Sequence, residues 1–188
     1  LPIIFFNYGI FQKKNFLSKK VKENSYTIRI IGSNIDIKRF YNNSQAETVI
    51  KELISISSPI ASKKIFFIWP EGIIPNTYQH ELVLYNDIMS KNFNENHLIG
   101  LGITNKKITD NSIKYYNSFS VYDYNLNLID NYNKVKLVPF GEFIPFENFL
   151  SKIGFKTITN DFGSFTKGKF KKIIKIGDSF EELKFLPL

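Results

Sequence analysis

Cysteine is absent from the 188-residue chain, and histidine, tryptophan and methionine are scarce, with two, one and one copies. No disulfide and no thiolate metal site can form within it. His80 and His97 lack zinc-ligand spacing and read as core or solvated side chains, so neither a metal nor a cofactor is expected. Arginine is nearly missing too: Arg29 and Arg39 are the two exceptions among 25 basic residues. A net charge of +8 permits binding to nucleic acid or to an anionic membrane. Scattered lysines without arginine forks do not make a reader of bases, and no nucleic-acid partner is expected. With abundant Asn, Ile, Phe and Tyr, the lysine excess points instead to an AT-rich coding genome.

Long hydrophobic runs are also lacking. The opening "LPIIFFNYGIF" is apolar, but a membrane-spanning helix needs about twenty such residues. It reads as a core element or as the trailing end of a transmembrane helix, and no secretory signal peptide stands out. Lys13, Lys14, Lys19, Lys20 and Lys22 follow, and a basic run beside a membrane usually marks the cytoplasmic side. Residues 1–23 are therefore set apart as a helix stub plus basic linker, and 24–188 as one domain.

What is present is a core. The chain is 43% hydrophobic and rich in Phe and Tyr, enough for one well-packed domain. "SYTIRIIGSN" (25–34) is β-branched and ends in a turn, a buried strand. "SQAETVIKELISIS" (44–57) has Ala46, Val49, Ile50, Leu53 and Ile54 near helical spacing, with Ser44 and Glu47 as a capping box. "KIFFIWPE" (64–71) is a second strand stopped by proline, 77–93 a second helix, and "HLIGLGIT" (97–104) a third strand. Residues 113–134 read as a hairpin around Tyr124-Asn125-Leu126-Asn127, and 170–178 and 183–188 as two more strands. Strand, helix, strand, helix, strand, then hairpins is an α/β order with a mixed sheet.

Three motifs could carry chemistry. "GSFTKGKF" (163–170) nearly spells a phosphate loop, Gly163 then Gly168-Lys169. Phe170 stands where a hydroxyl should reach magnesium, and no helix follows, so a basic hairpin turn is the better reading. Glu71 lies just past a buried strand behind Trp69-Pro70. A solvated turn glutamate is its ordinary reading, but strand ends are where α/β sites assemble, and a carboxylate desolvated by tryptophan is a candidate base. In "NKVKLVPFGEFIPF" (133–146), Lys134 and Glu142 bracket an apolar turn. Partial burial there would require them to pair, and a fixed lysine in a dry cleft can stabilise an oxyanion.

"WPEGIIP", "YYNSFSVYD", "YNKVKLVPFGEFIPF" and "FTKG" stand in the order and approximate spacing of the apolipoprotein N-acyltransferases, a family of the nitrilase (carbon–nitrogen hydrolase) superfamily. "IIGSNIDIKRF" (30–40) also resembles that family's first strand and loop, so the resemblance covers nearly everything from Tyr26 onward. It implies a nitrilase-type αββα sandwich, incomplete at the C-terminus. It makes Glu71 the general base, Lys134 the oxyanion-stabilising lysine, and Glu142 the second glutamate that holds the lysine. The nucleophilic cysteine would be expected just after Leu188.

The implied reaction moves an acyl chain from a phospholipid donor to a diacylglyceryl lipoprotein acceptor, at the periplasmic side of a bacterial inner membrane, in a monomer. Without its thiol this chain is expected to be inactive alone. "FIPFENFLSKIGF" (143–155) places Phe146, Phe149, Leu150 and Ile153 on one face, either an arm entering the bilayer or a face packed on the core. A nitrilase-family amidase and a non-catalytic gene remnant are the alternatives.

Overall fold

The computed structural model describes residues 2–18, 25–34, 46–109, 112–145, 163–176, 180, 183–185 and 187. Ser44 of the expected capping box and the four residues of the expected arm, Phe146, Phe149, Leu150 and Ile153, lie outside them.

Residues 65–69 and 97–103 became strands whose alternate side chains fill two covered faces; residues 27–30, expected to be a buried strand, pair at the sheet edge with Ile28 and Ile30 exposed. Five strands form one sheet in the order β1-β2-β3-β4-β5: β1 Thr27–Ile30, β2 Ile65–Trp69, β3 His97–Thr109, β4 Ser112–Tyr122 and β5 Leu128–Asn133. The first two pairings are parallel and the last two antiparallel, the mixed sheet expected from the element order.

On one face, Ile65, Phe67, Trp69, Ile99, Leu101 and Ile103 meet α2 (Ala46–Ser57) through Val49, Ile50, Leu53 and Ile54. On the other, Phe66, Leu98, Val121 and Tyr132 meet Ile174, Ile176 and Phe180. Ile174 belongs to a small second sheet of β6 (Ile174–Lys175) and β7 (Lys184–Phe185). Among the described residues the layers are thus helix, sheet, sheet. A buried leucine or phenylalanine side chain is worth about 1.5–3 kcal/mol, so two cores of this size secure both interfaces.

Local chemistry ends α2. Ser58 takes a positive φ of 43°, and Arg29 from β1 donates to the carbonyls of Ser57 (2.6 Å) and Ser58 (2.8 Å). A guanidinium on the last carbonyls satisfies groups the helix cannot. Trp69 Nε1 donates to Ser57 Oγ at 3.0 Å, which ties β2 to the same helix end. His97 is a core histidine between Phe67 and Phe93. Asn94 N–H donates to its Nδ1, so Nε2 carries the proton and donates to the Ile60 carbonyl.

Three further expectations needed revision. The helix expected over 77–93 is a 3-10 helix, Gln79–Tyr85, followed by a short α3, Asn86–Ser90. Tyr78 is bridged to Thr104 of β3, and its N–H is capped by the Glu81 carboxylate at 2.7 Å. The tighter winding sends Leu82 inward and leaves Val83 and Leu84 outside. Strand β3 runs on to Thr109, because β4 pairs with it residue by residue through the polar stretch. The final two strands shrink to two residues each.

At the N-terminus, α1 (Pro2–Ser18) takes in Lys13 and Lys14 from the expected linker and exposes all its residues. Among the described residues no helix is long and apolar enough to cross a membrane.

Candidate active site

Strand β2 ends at Trp69, and the chain turns across β3 at Gly102. A Cβ there would fall 2.9 Å from Glu71 Cα, so only glycine lets the Glu71 backbone lie on the sheet. Gly72 N–H donates to the Gly102 carbonyl at 3.1 Å, and Gly72 has a φ of +59°. This left-handed turn fixes where the Glu71 carboxylate emerges.

Asn117, on β4, is the hub. Its Nδ2 donates to Glu71 Oε1 and to Glu142 Oε1, each at 2.5 Å. Carboxylates only accept, so the amide must present its nitrogen to both. The two glutamate oxygens therefore lie within about 5 Å of each other, close enough to repel strongly unless a cation intervenes. Lys134 supplies it: Nζ reaches Glu142 Oε1 at 2.9 Å. Lys134 follows the last residue of β5, and its N–H donates to the Asn117 carbonyl at 2.8 Å, so one residue anchors both the lysine backbone and the two carboxylates.

The turn 137–143 exists to hold Glu142. Its Oε2 accepts the Val138 N–H (2.7 Å), its own N–H donates to the Val138 carbonyl (2.8 Å), and Phe140 N–H donates to the Phe143 carbonyl (2.7 Å). Phe140 carries a φ of +62°, an unusual conformation for a bulky residue, which costs of order 1 kcal/mol. Burial works to raise the Glu142 pKa. The hydrogen bonds from Lys134, Val138 and Asn117, with the charge of Lys134, overcome it and hold the carboxyl below its ordinary value.

The segment 163–168 straps this assembly down. Phe165 N–H donates to the Glu142 carbonyl (2.7 Å), Thr166 N–H to that of Tyr115 (2.6 Å), and Gly168 N–H to that of Lys134 (2.9 Å). It crosses as an extended strap, not the hairpin turn expected from its sequence. A phosphate loop points its N–H groups at the ligand; these are spent on protein carbonyls.

Glu71, Asn117 and Lys134 line one cavity of about 370 Å³, together with Ile68, Phe119 and Tyr132. Pro187, just past β7, lines it too. The structure brings the Glu71, Lys134 and Glu142 side chains together around Asn117. Asn117 was missed, although it sits inside the "YYNSFSVYD" motif. An asparagine at a half-buried position of a strand was its available signal. The Trp69 indole packs in the helix-side core and donates to Ser57 Oγ, and Trp69 also lines the cavity beside Glu71.

The fold is of the α/β class, a mixed sheet with Glu71 and Lys134 placed just past strand ends. Within that class, the chain is a relative of the apolipoprotein N-acyltransferases. It is 27% identical to the apolipoprotein N-acyltransferase of Brucella suis biovar 1, over 86% of this chain and 31% of that protein. It is 31% identical to that of Borreliella burgdorferi, over 95% of this chain and 37% of that protein. The chain therefore spans about a third of the length of the curated relatives it matches. Among solved structures it resembles an N-terminal amidase bound to an Asn-Glu-Ala peptide, with a TM-score of 0.40 and 17% identity over 59% of this chain and 28% of that one. No family model matches the sequence.

Proposed function

We propose that this chain holds the base and the oxyanion cation of a thioester-forming N-acyltransferase that acts on lipoproteins. Residues 24–188 are read as part of a carbon–nitrogen hydrolase domain, and 1–23 as the end of a membrane-associated helix with its basic linker. One observation carries the proposal: Asn117 joins Glu71 to Glu142, Glu142 holds Lys134, and Glu71, Asn117 and Lys134 line a single cavity. Glu71 and Lys134, from the ends of two different strands, and Asn117 between them converge where a reacting carbonyl could sit.

The thiol must come from outside the described residues, since the chain has no cysteine. Pro187 already lines the cavity, so a cysteine a few residues past Leu188 would be delivered to Glu71. Glu71 takes the thiol proton, and the thiolate attacks the ester carbonyl of a phospholipid. Lys134 Nζ faces the oxyanion; loss of one such donor typically costs about 3 kcal/mol. The ester C–O bond breaks, Glu71 returns the proton to the leaving alcohol, and a thioester remains. In the second half, the amine of a diacylglyceryl-cysteine attacks the thioester. Glu71 accepts the amine proton and passes it to the departing thiolate. Glu142 holds Lys134 in place through their ion pair, and does not touch substrate.

The exposed apolar residues of α1 favour a membrane-associated enzyme, and we place the site at the periplasmic face of an inner membrane. The test is intact-protein mass spectrometry after incubation with phospholipid. The 188-residue chain should gain no acyl mass. A chain extended through the proposed cysteine should gain one acyl group, and Glu71→Gln should abolish it. Acylation of the extended chain that survives Glu71→Gln would overturn the assignment.

A further inference from the structure

The face of the sheet that carries the site continues past Asn117. Alternate residues of a strand share a face, so Gly102, Thr104 and Lys106 of β3 lie on the side that Glu71 crosses. Asn117 and Tyr115 of β4 stand opposite Thr104 and Lys106 on that same side. On the other flank of β3, Tyr78 is bridged to Thr104. Three steps therefore follow one another along β3: Glu71 at Gly102, then Tyr78 and Asn117 beside Thr104, then Tyr115 beside Lys106.

Lys106 is half-buried, and its Nζ lies 5.2 Å from the Tyr78 ring centre and 5.9 Å from that of Tyr115. The negative faces of two rings hold the ammonium in place. The rings are themselves held. Tyr78 packs on Tyr115 at 5.9 Å between centres and stacks on His80 at 6.0 Å. The Glu81 carboxylate caps the Tyr78 N–H, and the strap's Thr166 N–H donates to the Tyr115 carbonyl. Among the described residues, no carboxylate forms an ion pair with Lys106. The charge is positioned without being neutralised, which suits a cation that receives an anion.

Glu71 and Lys134 act at the ester carbonyl of the donor and leave the rest of that molecule without a partner. In a glycerophospholipid the phosphate stands about six bonds from an ester carbonyl, roughly 7 Å at about 1.2 Å of reach per bond. The Lys106 step lies two residues past the Thr104–Asn117 step, about 7 Å along the strand. We propose that Lys106, seated on Tyr78 and Tyr115, binds the phosphodiester of the acyl donor and so turns its ester toward Glu71 and Lys134. The inference rests on reading the cavity as an acyl-transfer site for a phospholipid. A cationic headgroup is not the occupant of the ring pair, because Lys106 already fills it. The device selects phosphate-bearing donors over neutral glycerides and ignores the group beyond the phosphate.

The test is calorimetric titration of the 188-residue chain with dihexanoyl-phosphatidylglycerol below its micelle concentration, and with dihexanoylglycerol, which has the same esters and no phosphate. Lys106→Met should raise the Kd for the phospholipid about fivefold and leave that for the neutral diester unchanged. Lys106→Gln serves as a second variant should Lys106→Met fold poorly. Lys106→Arg should restore the affinity. Lys107→Met, on the opposite face of β3, should not alter it, and Tyr115→Leu should reproduce part of the loss.

An unchanged Kd in Lys106→Met overturns the proposal. So does an equal loss for both ligands, which would mark a structural role, or an equal loss in Lys107→Met, which would mark diffuse charge. Inorganic phosphate that displaces the lipid at matching concentration would mark a general anion site and overturns it too. Binding of the neutral diester with no preference for the phospholipid defeats this inference and leaves the cavity reading intact; binding of neither ligand defeats both. No turnover is needed, so a failed acylation assay is a separate result.

Discussion

Replacing Asn117 by leucine removes the amide that joins the two glutamates while keeping size and backbone. Its carbonyl still accepts the Lys134 N–H, so strand pairing survives. The bond to Glu142 is the larger loss. That side chain is 12% exposed, and hydrogen bonds to charged groups in such places contribute about 1.5–3 kcal/mol. The bond to Glu71 is solvent-exposed and contributes about 0.5 kcal/mol. The expected loss is about 2–3 kcal/mol, or ~5–10 °C in Tm for a chain of this size.

The loss must also depend on pH. The folded-state pKa of Glu142 is depressed, so its contribution is complete above the ordinary value of 4.5 and fades as pH falls through the depressed one. Urea denaturation of wild type and Asn117→Leu at neutral pH and in acid should therefore give curves that are far apart at pH 7 and converge in acid. Asn117→Asp, a third carboxylate in the same place, should be worse at neutral pH and recover more in acid. A loss below about 0.5 kcal/mol, or one that does not change with pH, would refute the bridging role of Asn117.

Two further outcomes follow from the geometry. Gly102→Ala must push the Glu71 backbone off the sheet; overpacking of this kind costs about 1–3 kcal/mol in denaturation experiments. In an extended, acylating chain it should lower the rate of thioester formation without abolishing it. His97 is held neutral by burial, which lowers its pKa and outweighs the Ile60 hydrogen bond and the Glu95 charge. The unfolded state therefore takes up a proton first as pH falls below 6.5, and stability should drop there by up to about 1.4 kcal/mol per pH unit. His97→Gln should flatten that slope in urea melts.

Local pattern was sufficient for the α/β class, for α2, for β1 to β5 as elements, and for the hairpin around Tyr124–Asn127. Most of these bury a face whose period is written in consecutive residues, while β1, expected to be buried, leaves Ile28 and Ile30 exposed at the sheet edge. Glu71, Lys134 and Glu142 were also legible, since each stands at a break between an apolar run and a turn. What local pattern could not show was how these groups are joined. Asn117 looks like any strand asparagine until β4 is laid between β3 and β5. Gly102 looks like a packing glycine until the Glu71 backbone crosses it. The polar residues 105–109 have no apolar period, and they became strand because β4 pairs with them, Tyr116 opposite Asn105 and Tyr115 opposite Lys106. Periodicity reports burial, which is local; pairing and convergence are long-range, and only the closed sheet decides them.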